Sequence, residues 1–249
     1  MIRVESTDGI ALVRFERPPA NAIELESATA LEETLARLEA DPATQAVVLT
    51  GHAEFFSAGL DLKVVPTYGP EQQRAMVMAI NRLIGRLYGL GLPAVAAVNG
   101  HAIAGGLVVV LACDFRIGRR GPYRLGLTET RAAVPYPVAA MTVVTTELSP
   151  AVARRAVLLA RNGTPENALA DGILDELETG DAVLSRALAV ARDLAALPRS
   201  AYASIKRQLR APALERIGNV LATGSDPLVV GWLAPETSSA AAGLLGRAS

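Results

Sequence analysis

An α/β fold, with parallel strands joined by crossover helices and a helical C-terminal subdomain, is predicted by three features of the sequence. Apolar runs of strand length alternate with longer segments of helical period through the first half of the chain. Breaker residues fall between these segments rather than inside them. Beyond about Pro137 the strand signals stop and helical segments follow one another.

The elements run in order. Ile2 and Val4, then Ile10, Leu12, Val13 and Phe15, flank Thr7-Asp8-Gly9, a hairpin signature with an Asp-Gly turn. Arg17-Pro18-Pro19-Ala20-Asn21 breaks the second strand. Residues 24–40 carry Leu25, Ala28, Leu31, Leu35 and Leu38 at helical spacing, and Asp41-Pro42 stops the helix. Residues 46–50 read as a short buried strand, residues 52–61 as a polar glycine-containing loop, residues 71–88 as a helix and residues 94–98 as another buried strand. Right-handed crossovers between such strands put the loops after them on one side, where ligands bind. Residues 114–117 and 123–125 look like short strands. Helices are predicted over 137–147, 150–160, 165–171, 181–195 and 200–209. We divide the chain into a core, residues 1–197, and a helical C-terminal region, residues 198–249. Its Ala- and Ser-rich end, residues 234–249, is expected to fray. The sequence shows no internal repeat.

Composition bounds the function. A chain of 249 residues buries a core without a disulfide or metal staple. With 51% hydrophobic but only 4% aromatic residues, that core is expected to be mostly Ala, Val and Leu. Net charge is −1 and no basic stripe stands out, which argues against nucleic acid. The longest apolar runs are too short to span a bilayer, so no membrane association is expected. The first residues alternate like a strand rather than forming a signal peptide. The single cysteine, Cys113, permits no disulfide within the chain and suits a reducing cytoplasm.

Two loops carry the chemical signal. Phe55-Phe56-Ser57-Ala58-Gly59-Leu60-Asp61-Leu62-Lys63 follows a buried strand, and its small residues let a ligand approach the backbone. Ala97-Val98-Asn99-Gly100-His101-Ala102-Ile103-Ala104-Gly105-Gly106 also follows a strand and runs into an apolar helix. Amides at a helix N-terminus are unpaired donors, suited to a developing oxyanion. Neither loop ends in the Gly-Lys-Ser/Thr of a phosphate loop.

These stretches, with Cys113-Asp114-Phe115-Arg116-Ile117, resemble the crotonase (enoyl-CoA hydratase/isomerase) superfamily over essentially the whole chain. The resemblance implies a ββα spiral core and an acyl-CoA or enoyl-CoA thioester as substrate, with no further cofactor. It implies that the thioester oxygen is held by the backbone N–H groups of Leu60 and Gly105. It also implies that the region around Ser57, Ala58, Asp61 and Lys63 seats CoA, that Gly106 and Val108 line the substrate site, and that the chain assembles as a homotrimer or a dimer of trimers. By the same resemblance, hydratases carry one glutamate six residues before Asp114, where this chain has Val108, and a second at Glu129. The motif Leu125-Gly126-Leu127-Thr128-Glu129-Thr130 is similar to the mitochondrial-type Δ3,Δ2-enoyl-CoA isomerase branch.

A lone carboxylate suits proton shuttling: one acid takes a proton from C2 and returns it to C4 through a dienolate. The expected function is therefore isomerisation of 3-enoyl-CoA to 2-enoyl-CoA by Glu129. The alternatives are a single-acid hydratase and a non-catalytic acyl-CoA binder, the latter prompted by Ala132-Ala133-Val134-Pro135-Tyr136-Pro137 where many relatives are glycine-rich. Burial in an apolar pocket is expected to raise the Glu129 pKa. His52 and His101, without a cysteine or acid cluster, make no metal site. His101 is assigned to packing or loop hydrogen bonding, Cys113 to the core, Asp114 to orienting a loop, and Arg131 to a structural ion pair. Trp232 is expected either in the acyl tunnel or in subunit packing.

Overall fold

The computed structural model describes residues 2–180 and 182–233; the stretch expected to fray, residues 234–249, lies outside the described residues. β1 (Ile2–Thr7) and β2 (Ile10–Phe15) pair antiparallel, with Thr7 opposite Ile10. Asp8 and Gly9 between them take φ of 51° and 78°, the left-handed backbone that an Asp-Gly hairpin turn supplies. β2 then starts a run of parallel pairings through β3 (Ala46–Thr50), β5 (Ala94–Val98), β7 (Phe115–Arg119) and β9 (Glu176–Glu178). A second parallel sheet is built from β4 (Phe55–Ser57), β6 (His101–Ile103) and β8 (Leu125–Gly126).

The central strands are buried on both faces, which is why they read as continuous apolar runs. Val47, Leu49, Ala94, Ala96 and Val98 face one core with α1 (Leu25–Ala40), α2 (Pro70–Tyr88), α3 (Gly105–Leu111) and α4 (Val138–Glu147). The alternate residues Ala46, Val48, Val95, Ala97 and Ile117 pack against Val183, Ala187, Val190 and Ala191 of α7 (Ala182–Ala195). α5 (Pro150–Leu159), α6 (Pro165–Ala170), α8 (Arg199–Leu209), α9 (Ala211–Thr223) and α10 (Val229–Trp232) complete the described chain.

The structure differs from the sequence-based expectation in its short strands. Residues 52–61 contain β4 rather than being loop throughout. The strand expected at 123–125 is β8 at Leu125–Gly126, leaving Tyr123 and Arg124 outside it. Strands of two or three residues show too little alternation to register as a pattern. They expose a repeat that the sequence hides. A long strand, a short strand of the second sheet and a helix follow one another as β3–β4–α2 and again as β5–β6–α3. β7 and β8 begin a third such unit, which continues into a 3₁₀ turn.

Two buried polar clusters tie the C-terminal helices to this core. Asp114 Oδ2 accepts from the Ala94 N–H at 2.8 Å, the Tyr202 hydroxyl at 2.9 Å and Lys206 Nζ at 2.8 Å. Asp114 Oδ1 lies 2.9 Å from Arg210 Nη1. Asp114 thus clamps α8 to the sheet as well as fixing the start of β5. Asp226 Oδ2 accepts from Asn81 Nδ2 and the Val138 N–H, each at 2.8 Å, and Asn81 Oδ1 accepts from the Ala139 N–H at 2.8 Å. These bonds satisfy the first amides of α4, which have no partner within the helix. Among the described residues, no helix is long and apolar enough to cross a membrane.

Candidate active site

Three successive ends of the short-strand sheet meet at one place. β4 runs into Ala58–Asp61, β6 into Ala104 and α3, and β8 into the 3₁₀ turn Glu129–Ala132. Because β4, β6 and β8 are parallel, their C-terminal ends lie on one side, and the residues that leave them converge.

The first loop is braced by the segment that ends β2. Ala58 N–H donates to Ala20 O at 2.9 Å, and Ser57 Oγ donates to Asn21 O at 2.8 Å while accepting from the Gly59 N–H at 3.1 Å. Ile23 N–H donates to Gly59 O at 2.7 Å and Asp61 N–H to Ile23 O at 2.9 Å. In this parallel bridge the Leu60 N–H points away from Ile23, and it has no acceptor among the described residues. Gly59 has φ of +79°, and a Cβ there would lie 3.0 Å from the Gly105 nitrogen. Only a glycine lets the two loops approach so closely.

The second amide belongs to the first residue of α3. Ala104 caps this helix with its carbonyl, which accepts from Leu107 and Val108 N–H at 2.8 and 3.1 Å. Its φ of 50° and ψ of −127° lie outside the usual regions for a residue with a Cβ. That ψ sets the direction of the next amide, so Gly105 N–H is one of the orphan donors of the helix start. A Cβ on Gly106 would sit 2.4 Å from the Ser57 carbonyl oxygen, so the second loop rests directly on the first.

Leu60, Gly105, Val108 and Glu129 line one apolar cavity, together with Ile80, Leu83, Ile84, Tyr136 and Trp232. A second cleft, lined by Ala58, Leu62, Ile103, Ala104 and Thr128, meets it at Leu60, Glu129 and Val134. Glu129 is 7% exposed and, among the described residues, is the only carboxylate lining either. Burial pushes its carboxyl up to about 7, against an opposing pull from the Tyr136 hydroxyl and from the backbone amides of Glu129 and Thr128. Tyr136 donates its phenolic hydrogen to Glu129 Oε2 at 2.6 Å. Burial and the neighbouring carboxylate push the phenol upward, so it stays protonated.

The residues expected to touch CoA or substrate are not all equally placed. Val108 lines the same cavity as Glu129. Ala58 lines the second cleft. Ser57 is buried, with its hydroxyl engaged inside the loop, and Gly106 packs on it. The Asp61 carboxylate is occupied within the chain: Oδ2 pairs with Arg17 Nη1 at 2.7 Å and Oδ1 accepts from the Lys63 N–H at 3.0 Å. Lys63 is exposed on the adjoining turn. His101 Nδ1 accepts from the Arg124 N–H at 3.0 Å, and its ring packs between Phe55 and Tyr123. The Cys113 thiol is buried and pushed up to about 12 by that burial. Arg131, expected in an ion pair, instead donates from Nε to the Ala160 carbonyl at the end of α5. Trp232 lines the cavity and donates to Pro135 O at 2.8 Å. Among the described residues, no cluster of three or more His, Cys, Asp or Glu could hold a metal.

Sequence reasoning missed Tyr136 as a site residue. The one available signal was a hydroxyl-bearing side chain between two prolines in an otherwise apolar stretch, seven residues after Glu129.

The chain has known relatives. The family profile described as enoyl-CoA hydratase/isomerase matches residues 5–226. Human mitochondrial enoyl-CoA delta isomerase 1 is 32% identical over 219 residues, covering 87% of this chain and 72% of that protein. A putative enoyl-CoA hydratase of Thermus thermophilus is 34% identical over 200 residues, covering 78% of each. The crystal structure of human mitochondrial Δ3-Δ2-enoyl-CoA isomerase superposes with a TM-score of 0.92 at 31% identity, covering 99% of this chain and 97% of that one. The family match, together with shared sequence and a shared fold over most of both chains, makes this chain a member of the enoyl-CoA hydratase/isomerase (crotonase) family.

Proposed function

We propose that the protein isomerises 3-enoyl-CoA to 2-enoyl-CoA, with Glu129 as the proton carrier and the Leu60 and Gly105 amides as the oxyanion hole. The observation that carries this reading is a cavity that, among the described residues, is lined by two residues with unpartnered backbone N–H groups and by a single buried carboxylate whose proton affinity lies near neutrality. The thioester carbonyl accepts from the two amides. Ionised Glu129 takes the C2 proton, and the C–H electron pair moves into the thioester, leaving a dienolate with its negative charge on oxygen. Collapse of that charge forms the C2–C3 double bond, the former C3–C4 pair takes the proton from Glu129 at C4, and the carboxylate is regenerated. Each amide is expected to contribute about 2.7–4 kcal/mol to the barrier reduction. A carboxyl group titrating near the working pH suits both halves of the transfer.

Val108 supports isomerisation over hydration, because an apolar side chain there gives no second acid to activate water. CoA is proposed to enter through the cleft lined by Ala58 and Ala104, with Asp61 and Lys63 at its rim, in a trimer or dimer of trimers. The test is purified protein with 3-enoyl-CoA, followed by the appearance of 2-enoyl-CoA. Loss of turnover is expected in Glu129→Gln, and retained turnover in that variant sinks the proposal. Incorporation of solvent oxygen into a 3-hydroxyacyl-CoA assigns hydration instead.

A further inference from the structure

Tyr136 reaches Glu129 from the stretch between the 3₁₀ turn and α4, and the backbone on both sides of it is pinned. Val134 N–H donates to Glu129 O at 3.1 Å, and Trp232 Nε1 donates to Pro135 O at 2.8 Å. On the other side, Val138 N–H donates to buried Asp226 at 2.8 Å. Both Tyr136 and Glu129 are buried, at 6% and 7% exposure. The phenol is therefore a fixed donor, whereas a free glutamate would exchange its two oxygens by rotation about its last torsion.

Among the described residues, Tyr136 is the ionisable group that shares the cavity lining with the carboxylate. The walls contributed by α2 and α3 are aliphatic, as are Ile23 and Leu60. Arg131, on the same 3₁₀ turn, is exposed and directs its Nε to Ala160 O, and Asp61 is held by Arg17.

We propose that Tyr136 is a positioning residue for Glu129, holding Oε2 by its donated hydrogen bond and leaving Oε1 as the one oxygen that carries the proton between C2 and C4. This rests on the isomerase reading above. A hydrogen bond to a carboxylate is stronger than one to a neutral acid, so the same contact also favours the ionised base.

The test is Tyr136→Phe, which keeps the ring and its packing. Melting at an unchanged temperature checks that the variant is folded. KM is expected to stay the same while kcat falls about ten- to hundredfold, the loss of one hydrogen bond to a charged group. The acid limb of kcat/KM is expected to move upward by about one to two pH units. A second arm needs no turnover: difference infrared spectroscopy of the Glu129 carboxyl, with Glu129→Gln as the blank, in the presence and absence of the Tyr136 hydroxyl. The carboxyl is expected to titrate at higher pH in Tyr136→Phe. A fall in kcat with an unmoved acid limb and an unmoved infrared titration leaves Tyr136 a packing residue and overturns the proposal. If the unaltered protein turns over no 3-enoyl-CoA, the isomerase reading fails by itself. An unmoved infrared titration then overturns the hold on Oε2, and a raised one sustains it.

Discussion

Replacing Glu129 with glutamine should stabilise the protein at alkaline pH while abolishing turnover. The carboxyl is 7% exposed and is raised from 4.5 to about 7, chiefly by burial. At 1.36 kcal/mol per pH unit, that difference corresponds to about 3 kcal/mol. The sign follows from linkage. Below the unfolded value both states hold the proton and the group costs nothing. As pH rises from about 4.5 to about 7, the unfolded chain ionises first while the native state retains its proton, so native stability falls. Above that window the full cost remains. Glutamine has the same shape and no charge, and its amide oxygen can accept from Tyr136, so the phenol is not orphaned. Glu129→Gln is therefore expected to lie within about 1 kcal/mol of the unaltered protein at about pH 5 and to exceed it by up to about 3 kcal/mol at about pH 8. The assay is urea or thermal unfolding of both proteins at the two pH values. Protein concentration is held fixed, because assembly would otherwise move the midpoint. Other titrating groups cancel in the difference between the two. A variant less stable than the unaltered protein at the higher pH, or a difference that does not change with pH, refutes the reasoning, because Glu129 would then be a stabilised anion in the first case and an unshifted carboxyl in the second, rather than a strained base.

Other perturbations test the surrounding framework. The acid limb of kcat/KM should fall near pH 7, because Glu129 must be ionised to accept the C2 proton; a profile flat down to about pH 5 contradicts it. Gly106→Ala places a Cβ 2.4 Å from Ser57 O, a backbone atom that cannot swing aside, and should cost about 1–3 kcal/mol in unfolding while lowering turnover. Asp114→Ala leaves Lys206 buried without its anion and Arg210 with only the more distant Glu147, and should cost about 3–5 kcal/mol, whereas Lys206→Met keeps the Arg210 pair and should cost less. Neither change touches the cavity, so KM measured below the melting temperature should be unchanged. Trp232→Ala opens the cavity wall and frees Pro135, and should cost about 3–5 kcal/mol and raise KM for the acyl substrate.

Much of this architecture was legible in the chain. β2, β3, β5 and the helices around them announce themselves because each buries whole faces, and burial imposes period on the sequence. The short strands β4, β6 and β8 do not, because two or three residues carry no period. Their existence depends on pairing with one another, a long-range contact invisible to local pattern. Arg17 and Asn21 show the same limit. As a Pro-rich breaker they mark the end of β2, but only the fold brings them against Asp61 and Ser57 to brace an amide loop. Asp114 was legible as a loop acid. Its two cationic partners lie about ninety residues away and could not be paired with it from sequence.

The sequence by itself determined the chemistry available: one carboxylate at Glu129, a valine at 108, and small residues at 57–59 and 104–106 where backbone must come close to a ligand. Those are statements about composition at a position, and they hold wherever the chain goes. The tertiary structure decided what that chemistry meets. It buried Glu129 enough to bring its proton affinity near neutrality, and it turned Leu60 and Gly105 N–H away from every acceptor in the described chain. It also delivered Tyr136 and Trp232, one from a proline-flanked turn and one from the far C-terminal segment, to the same cavity. Desolvation and the direction of an unpaired amide are properties of packing, so no reading of residues one at a time could supply them.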